Sequence, residues 1–174
     1  MIVVCDTSPL HYLILVNQER LVHILFQEVV TTPEVIEEML AAGAPQVIKG
    51  WASSPPSWLE VRSAQSIDLT LQLGKGESSA ISLASELQQV RTDVILLIDE
   101  RDGRQAAKAR GLKTAGTLAI LSEAARMNLV ELPAVISQLQ KTSFHIKTSI
   151  VEEVLRLDRE RKRSQQGDAK TMNE

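Results

Sequence analysis

Short apolar runs alternate with longer segments of helical periodicity along most of the chain. One run covers residues 2–5 and another covers residues 94–98. Continuous runs of this length are typical of strands that are buried on both faces of a parallel sheet. Each of these two runs is followed directly by an aspartate, Asp6 or Asp99. Ligands of open parallel sheets bind beyond the carboxyl ends of the strands, so both aspartates are candidates for chemistry.

The segments around these two strands predict helices and three further strands. Residues 9–26 have helical spacing with a break near Asn17, and Pro33 begins a helix that Gly43 ends. Further strands are predicted in EVVTTP, WLEVRSA and LKTAG, and later helices in GESSAISLASELQQV, RDGRQAAKARG, TLAILSEAARMNLV, PAVISQLQKT and SIVEEVLRLDRERK. The stretch that contains Pro45, Trp51, Pro55, Pro56 and Trp58 predicts an irregular insertion, which in a compact domain is usually functional or a lid. The alternation predicts an α/β fold with a central parallel sheet.

Composition narrows the class of protein. The chain has 174 residues, 44% of them hydrophobic and 24% charged, which is typical of one globular domain. The single cysteine excludes an internal disulfide and a cysteine-rich zinc site. Neither a membrane-spanning stretch nor a signal sequence is recognisable, so we expect a cytoplasmic protein without a membrane partner.

Charge is unevenly distributed along the chain. The net charge of −3 and the aromatic content of 3% do not favour base stacking or a broadly basic nucleic-acid surface. The segment RLDRERKRS is locally basic and fits either a solvated helix end or an arm that contacts phosphate. We predict a domain over residues 1–157 and a charged, disordered tail over residues 158–174.

Further carboxylates accompany the two strand-end aspartates. Asp6 is placed either to cap the following helix or to take part in chemistry. Glu77 shares a helix face with apolar residues four and seven positions later, which turns it toward the sheet, although an acid in a first turn also favours the helix dipole. In PEVIEEML, Glu37 and Glu38 flank the apolar face equally, so periodicity does not choose between them.

A divalent cation explains how such carboxylates coexist. Four unpaired acids at one site would repel each other, and a cation removes that repulsion. Oxygen ligands suit Mg²⁺ or Mn²⁺, and the three histidines of the chain have no ligand spacing. Hard cations held by carboxylates activate water against phosphodiesters.

Five segments resemble, in order and spacing, the PIN-domain proteins, and most closely the subgroup of VapC-like toxin ribonucleases. They are VVCDTSPL, TPEVIEEML, GKGESSAISLA, LLIDERDGRQAAKARGLKTAGTLAIL and SFHIKTSIVEEVLRL, within residues 1–157. The resemblance implies a Rossmann-like α/β/α sandwich with a central parallel sheet, the PIN fold. It also implies a ribonuclease that requires Mg²⁺ or Mn²⁺.

The resemblance implies a role for individual residues as well. The catalytic acids correspond to Asp6, Glu38, Glu77 and Asp99, with Glu37 as the reserve for Glu38. The better-known toxins usually carry aspartate where this chain has Glu77.

The remaining assignments concern metal and substrate. The metal ligands would be Asp6, Glu77 and Asp99, with Asp102 as an auxiliary ligand or as a neighbour of one. Ser8 would orient Asp6 or a bound water, and Arg104 would meet a substrate phosphate.

The implied activity is hydrolysis of RNA by metal-activated water, which leaves a 5′-phosphate and a 3′-hydroxyl. The implied biology is the toxin of a toxin–antitoxin pair, with a small antitoxin partner and a homodimer formed through the early helices. The alternative is a weakly active or inactive PIN module that binds RNA or a protein. A phosphatase of the haloacid dehalogenase type is disfavoured because Ser8 stands where its second acid is required.

Overall fold

A five-stranded, all-parallel sheet forms the centre of the fold. The computed structural model describes the backbone of residues 1–171 and the side chains of residues 1–164. The strands are β1 (Ile2–Cys5), β2 (Glu28–Thr31), β3 (Leu59–Val61), β4 (Val94–Leu97) and β5 (Lys113–Ala115). Their order in the sheet is β3-β2-β1-β4-β5, so β1 and β4 are neighbours near its centre. The predicted α/β fold with a parallel sheet is confirmed.

Helices connect the strands and follow the last of them along the chain. They are α1 (Thr7–Leu15), α2 (Arg20–Leu25), α3 (Pro33–Leu40), α4 (Gln46–Ser53), α5 (Lys75–Val90), α6 (Arg101–Ala109), α7 (Thr117–Arg126), α8 (Leu132–Leu139) and α9 (Thr148–Thr171). The predicted break near Asn17 is confirmed, because Asn17 adopts a φ of 54° between α1 and α2. All four residues of β1 are buried, as expected for a central strand covered on both faces.

The region predicted as an irregular insertion is largely helical. Helix α4 lies between Pro45 and Pro55, and its Ile48 and Ala52 are buried one turn apart. These two residues form a narrow apolar stripe that packs inward, which is enough to order a short helix despite Gly50 in its middle. The prediction of irregular structure was therefore wrong for residues 46–53, and a role of this segment as a lid stays a prediction.

The charged C-terminal segment begins as the helix that SIVEEVLRLDRERK predicts. Helix α9 spans Thr148–Thr171 and so continues past residue 158, from which a disordered tail over residues 158–174 was predicted. Ion pairs at helical spacing support this helix: Arg156 pairs with Glu153 and Glu160, and Asp158 with Arg161 and Lys162. Residues 172–174 lie outside the described residues.

The chain divides into two compact units, residues 1–120 and residues 121–174. The first unit contains the sheet and the helices up to the start of α7. The second unit contains α8 and α9, and Lys162 of α9 forms an ion pair of 2.8 Å with Glu131 just before α8. No helix in the described part of the chain is both long enough and apolar enough to span a bilayer.

Candidate metal and active site

Asp6 lies at the carboxyl end of β1 and is almost completely buried, with 1% of its surface exposed. Its backbone N–H donates to the Leu97 carbonyl at 3.0 Å, which ties the end of β1 to the end of β4. Asp6 occupies the cap position of α1, but its side chain makes no capping hydrogen bond. Both carboxylate oxygens are buried without a partner. The interpretation of Asp6 as a helix cap is therefore wrong.

Burial raises the pKa of Asp6 to about 8, and the nearby carboxylates of Glu77, Glu38 and Glu100 contribute to the rise. The backbone N–H of the adjacent Thr7 lowers the pKa of Asp6 and so offsets part of this rise. It does not form a hydrogen bond of normal geometry with the Asp6 carboxylate. A buried ionised carboxylate without a partner is costly, and its neighbours here are anions. The site therefore lacks the positive charge that Asp6 requires in its ionised form.

Glu38, on α3, is held in place by two hydrogen bonds from other parts of the fold. Its Oε1 accepts from the Gly76 N–H at 2.7 Å, and its Oε2 accepts from the Thr7 hydroxyl at 2.6 Å. Glu37 is exposed, so the structure selects Glu38 as the acid of this helix that faces the site. A Cβ atom at Gly76 would overlap the Glu38 carboxylate and the Thr7 hydroxyl, so this close approach requires glycine.

Glu77 lies in the first turn of α5, and its Oε1 is buried without a partner. Burial raises the pKa of Glu77, and Glu100, Glu38 and Asp102 raise it further. A Cβ atom at Gly74 would lie 3.7 Å from Oε1 of Glu38 and 3.9 Å from Oε2 of Glu77. The two carboxylates therefore converge at the start of α5.

Asp99 follows β4 at the same edge of the sheet, but its carboxylate is hydrogen-bonded. Its Oδ1 accepts from the Thr117 N–H at 2.8 Å, and its Oδ2 accepts from the Thr117 hydroxyl at 2.6 Å. Burial raises the pKa of Asp99, while Thr117 and the Arg104 guanidinium oppose the rise. Asp99 is thus a fixed acid, unlike Asp6, whose oxygens have no partner.

Arg104 and Ser8 make protein contacts that the sequence did not predict. The Arg104 Nε donates to the Ile98 carbonyl at 2.9 Å, so part of its guanidinium is already used within the fold. The Ser8 hydroxyl donates to a carboxylate oxygen of Glu100 and not to Asp6. The alternative that Ser8 orients Asp6 is therefore wrong, and the alternative that Ser8 orients a bound water stays a prediction. Their proposed contacts with substrate stay predictions.

The remaining acids lie around this group. Glu100 and Asp102 are both exposed, and both raise the pKa of Glu77. Glu34, in the first turn of α3, also has a buried oxygen without a partner. Helices α1, α3, α5 and α6 all begin at or near this edge of the sheet, and the positive ends of their dipoles favour carboxylates there.

Sequence reasoning missed the residues that hold the acids. Thr7 directly follows Asp6, and Thr117 follows the glycine after β5. A second class of missed residue is the small one: a Cβ atom at Gly103 would collide with Oε1 of Glu77 and with Ile98. A hydroxyl or a glycine at the turn between a strand and a helix was the available signal for each.

The acids fit a divalent cation by two tests. Their donors are all carboxylate oxygens, which Mg²⁺ and Mn²⁺ prefer. In the described part of the chain, the buried side-chain oxygens without a partner belong to three carboxylates, Asp6, Glu34 and Glu77. Within the same part of the chain, no group of three or more acidic, histidine or cysteine side chains is arranged so that it could hold a metal ion as it stands. Mutual repulsion opposes such a set until a cation binds.

Comparison with known proteins identifies the fold family. A solved PilT N-terminus domain protein from the hyperthermophilic archaeon Sulfolobus solfataricus P2 is similar at 16% identity and a TM-score of 0.46, over 84% of this chain and 100% of that one. No curated protein matches the chain. A family model, DUF3368, described as a PIN domain, matches residues 2–160. PIN domains are generally nucleases that use divalent metals. Because the match covers nearly the whole sequence, the chain belongs to the PIN-domain family.

Proposed function

We propose that this protein is a divalent-metal-dependent ribonuclease. The observation that carries the proposal is Asp6, which is buried with no partner for either oxygen and has three other carboxylates nearby. A cation from solution would supply the missing charge. Burial of such an acid in its ionised form lowers the stability of the metal-free fold, which favours a functional reason for its position.

All the acids of the site would act on the cation. Asp6, Glu38 and Glu77 would hold the cation, with Asp102 as an auxiliary ligand. Asp99 would join them from its position against Thr117. A divalent cation in such a site lowers the pKa of water and stabilises negative charge that develops on a phosphodiester. Mg²⁺ and Mn²⁺ are the cations that this donor set favours.

The hydroxyl groups of the site orient its acids. Thr7 donates to Glu38, Ser8 to Glu100, and Thr117 to Asp99. Each of these hydroxyls thereby fixes the position of a carboxylate, and the proposed attacking group is water. Attack of water on phosphorus with cleavage of the P–O3′ bond would leave a 5′-phosphate and a 3′-hydroxyl, as the family resemblance implies.

Cleavage of labelled RNA with Mn²⁺, with Mg²⁺ and in chelator tests the proposal. Wild-type protein should cleave only with the cation, and Asp6→Asn should not cleave. Asp93→Asn is the matched control, because Asp93 precedes β4 at the opposite edge of the sheet, and it should retain activity.

Two results would count against the proposal. Cleavage that persists in chelator would exclude a metal-dependent mechanism. Wild-type protein that binds Mn²⁺ and RNA but never cleaves would support the alternative, an inactive PIN module.

We also propose that the protein acts in the cytoplasm as the toxin of a toxin–antitoxin pair, with a small antitoxin partner and a homodimeric state. The family resemblance supports these points. For the dimer, Ile24 on α2 and Val47 on α4 are each 53% exposed, whereas Leu10 and Leu13 of α1 are buried in the protein's own core. Light scattering of wild type and Ile24→Glu would test the dimer. Growth arrest on expression, relieved by the product of an adjacent small gene, would test the toxin role.

A further inference from the structure

A basic groove runs along α6, starting at the acidic site. A cavity of about 370 Å³ is lined by Asp99, Arg101, Arg104, Gln105 and Lys108. The four residues on α6 are separated by three, four and seven positions, so they share one helix face. Arg101 and Lys108 lie about 10 Å apart along the helix axis, given the rise of an α-helix.

The two outer cations of this groove have no partner among the residues that the structure describes. Neither Arg101 nor Lys108 forms an ion pair or a side-chain hydrogen bond in the described part of the chain. Arg62, Arg91 and Arg110, in contrast, each pair with a carboxylate. The cations on α6 are therefore available to a ligand.

Helix stability does not account for Arg101. It is the first residue of α6, where the positive end of the helix dipole disfavours a cation. Lys108, in the last turn, is favoured by the dipole and alone would need no further explanation. A cation at the disfavoured end, facing a cavity and unpaired, indicates a polyanionic ligand that spans the helix.

We infer that Arg101, Gln105 and Lys108 bind the phosphate backbone of the RNA strand and lead it away from the acidic site. This inference rests on the proposed function. Arg104, whose Nε is bonded to the Ile98 carbonyl, positions Asp99 and contributes less to RNA binding. Phosphate contacts of this kind are independent of sequence and sensitive to salt.

RNA binding measured without cleavage tests the inference. Fluorescence anisotropy of a labelled oligouridine in chelator would be followed across a range of salt. Arg101→Gln/Lys108→Gln should bind about tenfold more weakly than wild type at low salt. Its slope of log affinity against log salt should be shallower by about 0.7 for each phosphate that the variant no longer neutralises.

Matched variants separate a local site from net charge. Arg20→Gln/Lys113→Gln removes the same charge from two exposed residues, on α2 and β5, that do not line the groove and that have no ion pair in the described part of the chain, and it should bind like wild type. Arg101→Lys/Lys108→Arg keeps the charge and should retain most of the affinity. In cleavage assays the α6 double variant should raise KM and leave kcat unchanged.

Several outcomes would overturn the inference. The first is that the two charge-neutralising double variants weaken RNA binding equally. The second is that the α6 double variant binds RNA as tightly as wild type, and the third is that wild type does not bind RNA. Competition by poly-glutamate as effective as that by RNA would point to an acidic protein partner and would also overturn it. Wild type that binds RNA through α6 but never cleaves would uphold the inference and reject the proposed ribonuclease. Cleavage by wild type together with an unchanged KM in the α6 variant would uphold the proposed ribonuclease and reject the inference about α6.

Discussion

The two ends of the same parallel sheet treat their charged residues in opposite ways. At the amino ends of the strands, Arg91 pairs with Glu28 and Asp93, and Asp93 also pairs with the chain's terminal amine. At the carboxyl ends, Asp6 and Glu77 have buried oxygens without partners. The same kinds of residue thus form a neutralised network at one edge and an uncompensated anionic group at the other.

The pKa shifts differ in the same way. Hydrogen bonds from Arg91 and the terminal amine lower the pKa of Asp93, whereas burial raises the pKa of Asp6 to about 8. At the amino edge, carboxylates of this fold form ion pairs with cations. The uncompensated carboxyl edge therefore supports the proposed cation site and does not reflect a general failure of pairing.

After the loss of cleavage expected for Asp6→Asn, replacement of Glu38 should have the largest effect on activity. Glu38→Gln removes one charge while its amide can keep contacts with Gly76 and Thr7. Because loss of a group that only supports a metal ligand typically costs 10- to 100-fold, we expect loss of a ligand to cost more than about 100-fold in kcat/KM. Glu37→Gln, one residue earlier and exposed, should be active. Equal activity of the two variants would show that Glu38 is not a ligand.

Removal of the Thr117 hydroxyl should have the next largest effect. Thr117→Val keeps the shape of the side chain but removes the donor to Asp99 Oδ2. We expect a roughly 10- to 100-fold loss of activity and a loss of about 1–3 kcal/mol in the free energy of unfolding. Urea unfolding and cleavage rates would measure both. Thr114→Val, on β5, is the control, and a matching loss there would argue against a specific role for Thr117.

Displacement of Glu77 by a methyl group should have a smaller effect. Gly103→Ala would push against Oε1 of Glu77, the end of a side chain that can move, and against Ile98. We expect about a tenfold loss of Mn²⁺ affinity, measured by calorimetry, with the fold retained. Gly50→Ala meets no atom within 4 Å and should leave metal binding unchanged. Unchanged binding by Gly103→Ala would show that Glu77 does not contact the cation in the position described.

Neutralisation of Asp93, at the amino edge of the sheet, should have the smallest effect. Its effect on stability should have the opposite pH dependence to that of Asp6. Asp93 has a lowered pKa, so it contributes stability above its unfolded pKa and loses it as the pH falls through the folded value. Asp93→Asn should therefore melt slightly lower than wild type at neutral pH, and the difference should vanish in acid. Because the network is solvent-exposed, the shift should be small. A variant that melts higher at neutral pH would contradict this account of the edge.

Much of the fold was accessible from the sequence because its central strands are continuous apolar runs. The same runs identified Asp6 and Asp99 as strand-end acids, and helical periodicity turned Glu77 inward. Periodicity did not separate Glu37 from Glu38, since both lie at the border of the apolar face. The bond from Gly76, which lies far away in sequence, decides between them.

Local composition was misleading where tertiary contacts prevailed. Prolines and a glycine around residues 45–56 predicted irregular structure, but burial of Ile48 and Ala52 supports α4. The segment SIVEEVLRLDRERK was predicted as a helix and the residues from 158 as a tail, and the ion pairs of residues 153–162 lie along α9. Side-chain pairs one helical turn apart, which composition alone does not reveal, support both helices.

The most direct test of the central claim is the stability of the metal-free protein against pH. Because the folded pKa of Asp6 is raised to about 8, its contribution to stability is complete below the unfolded pKa and is lost as the pH rises through the folded value. Wild type in chelator should therefore lose stability, on the order of a few kcal/mol, between about pH 5 and pH 8. Asp6→Asn should lack this loss and melt higher than wild type at pH 8.

Saturating Mn²⁺ should restore wild type at pH 8 by binding the ionised acids, and it should have little effect on Asp6→Asn. Thermal melts of both proteins at the two pH values, with Mn²⁺ and in chelator, measure all of these differences. An Asp6→Asn protein that melts lower than wild type at both pH values, together with a wild type that Mn²⁺ does not stabilise, would contradict the assignment of a cation site at the carboxyl edge.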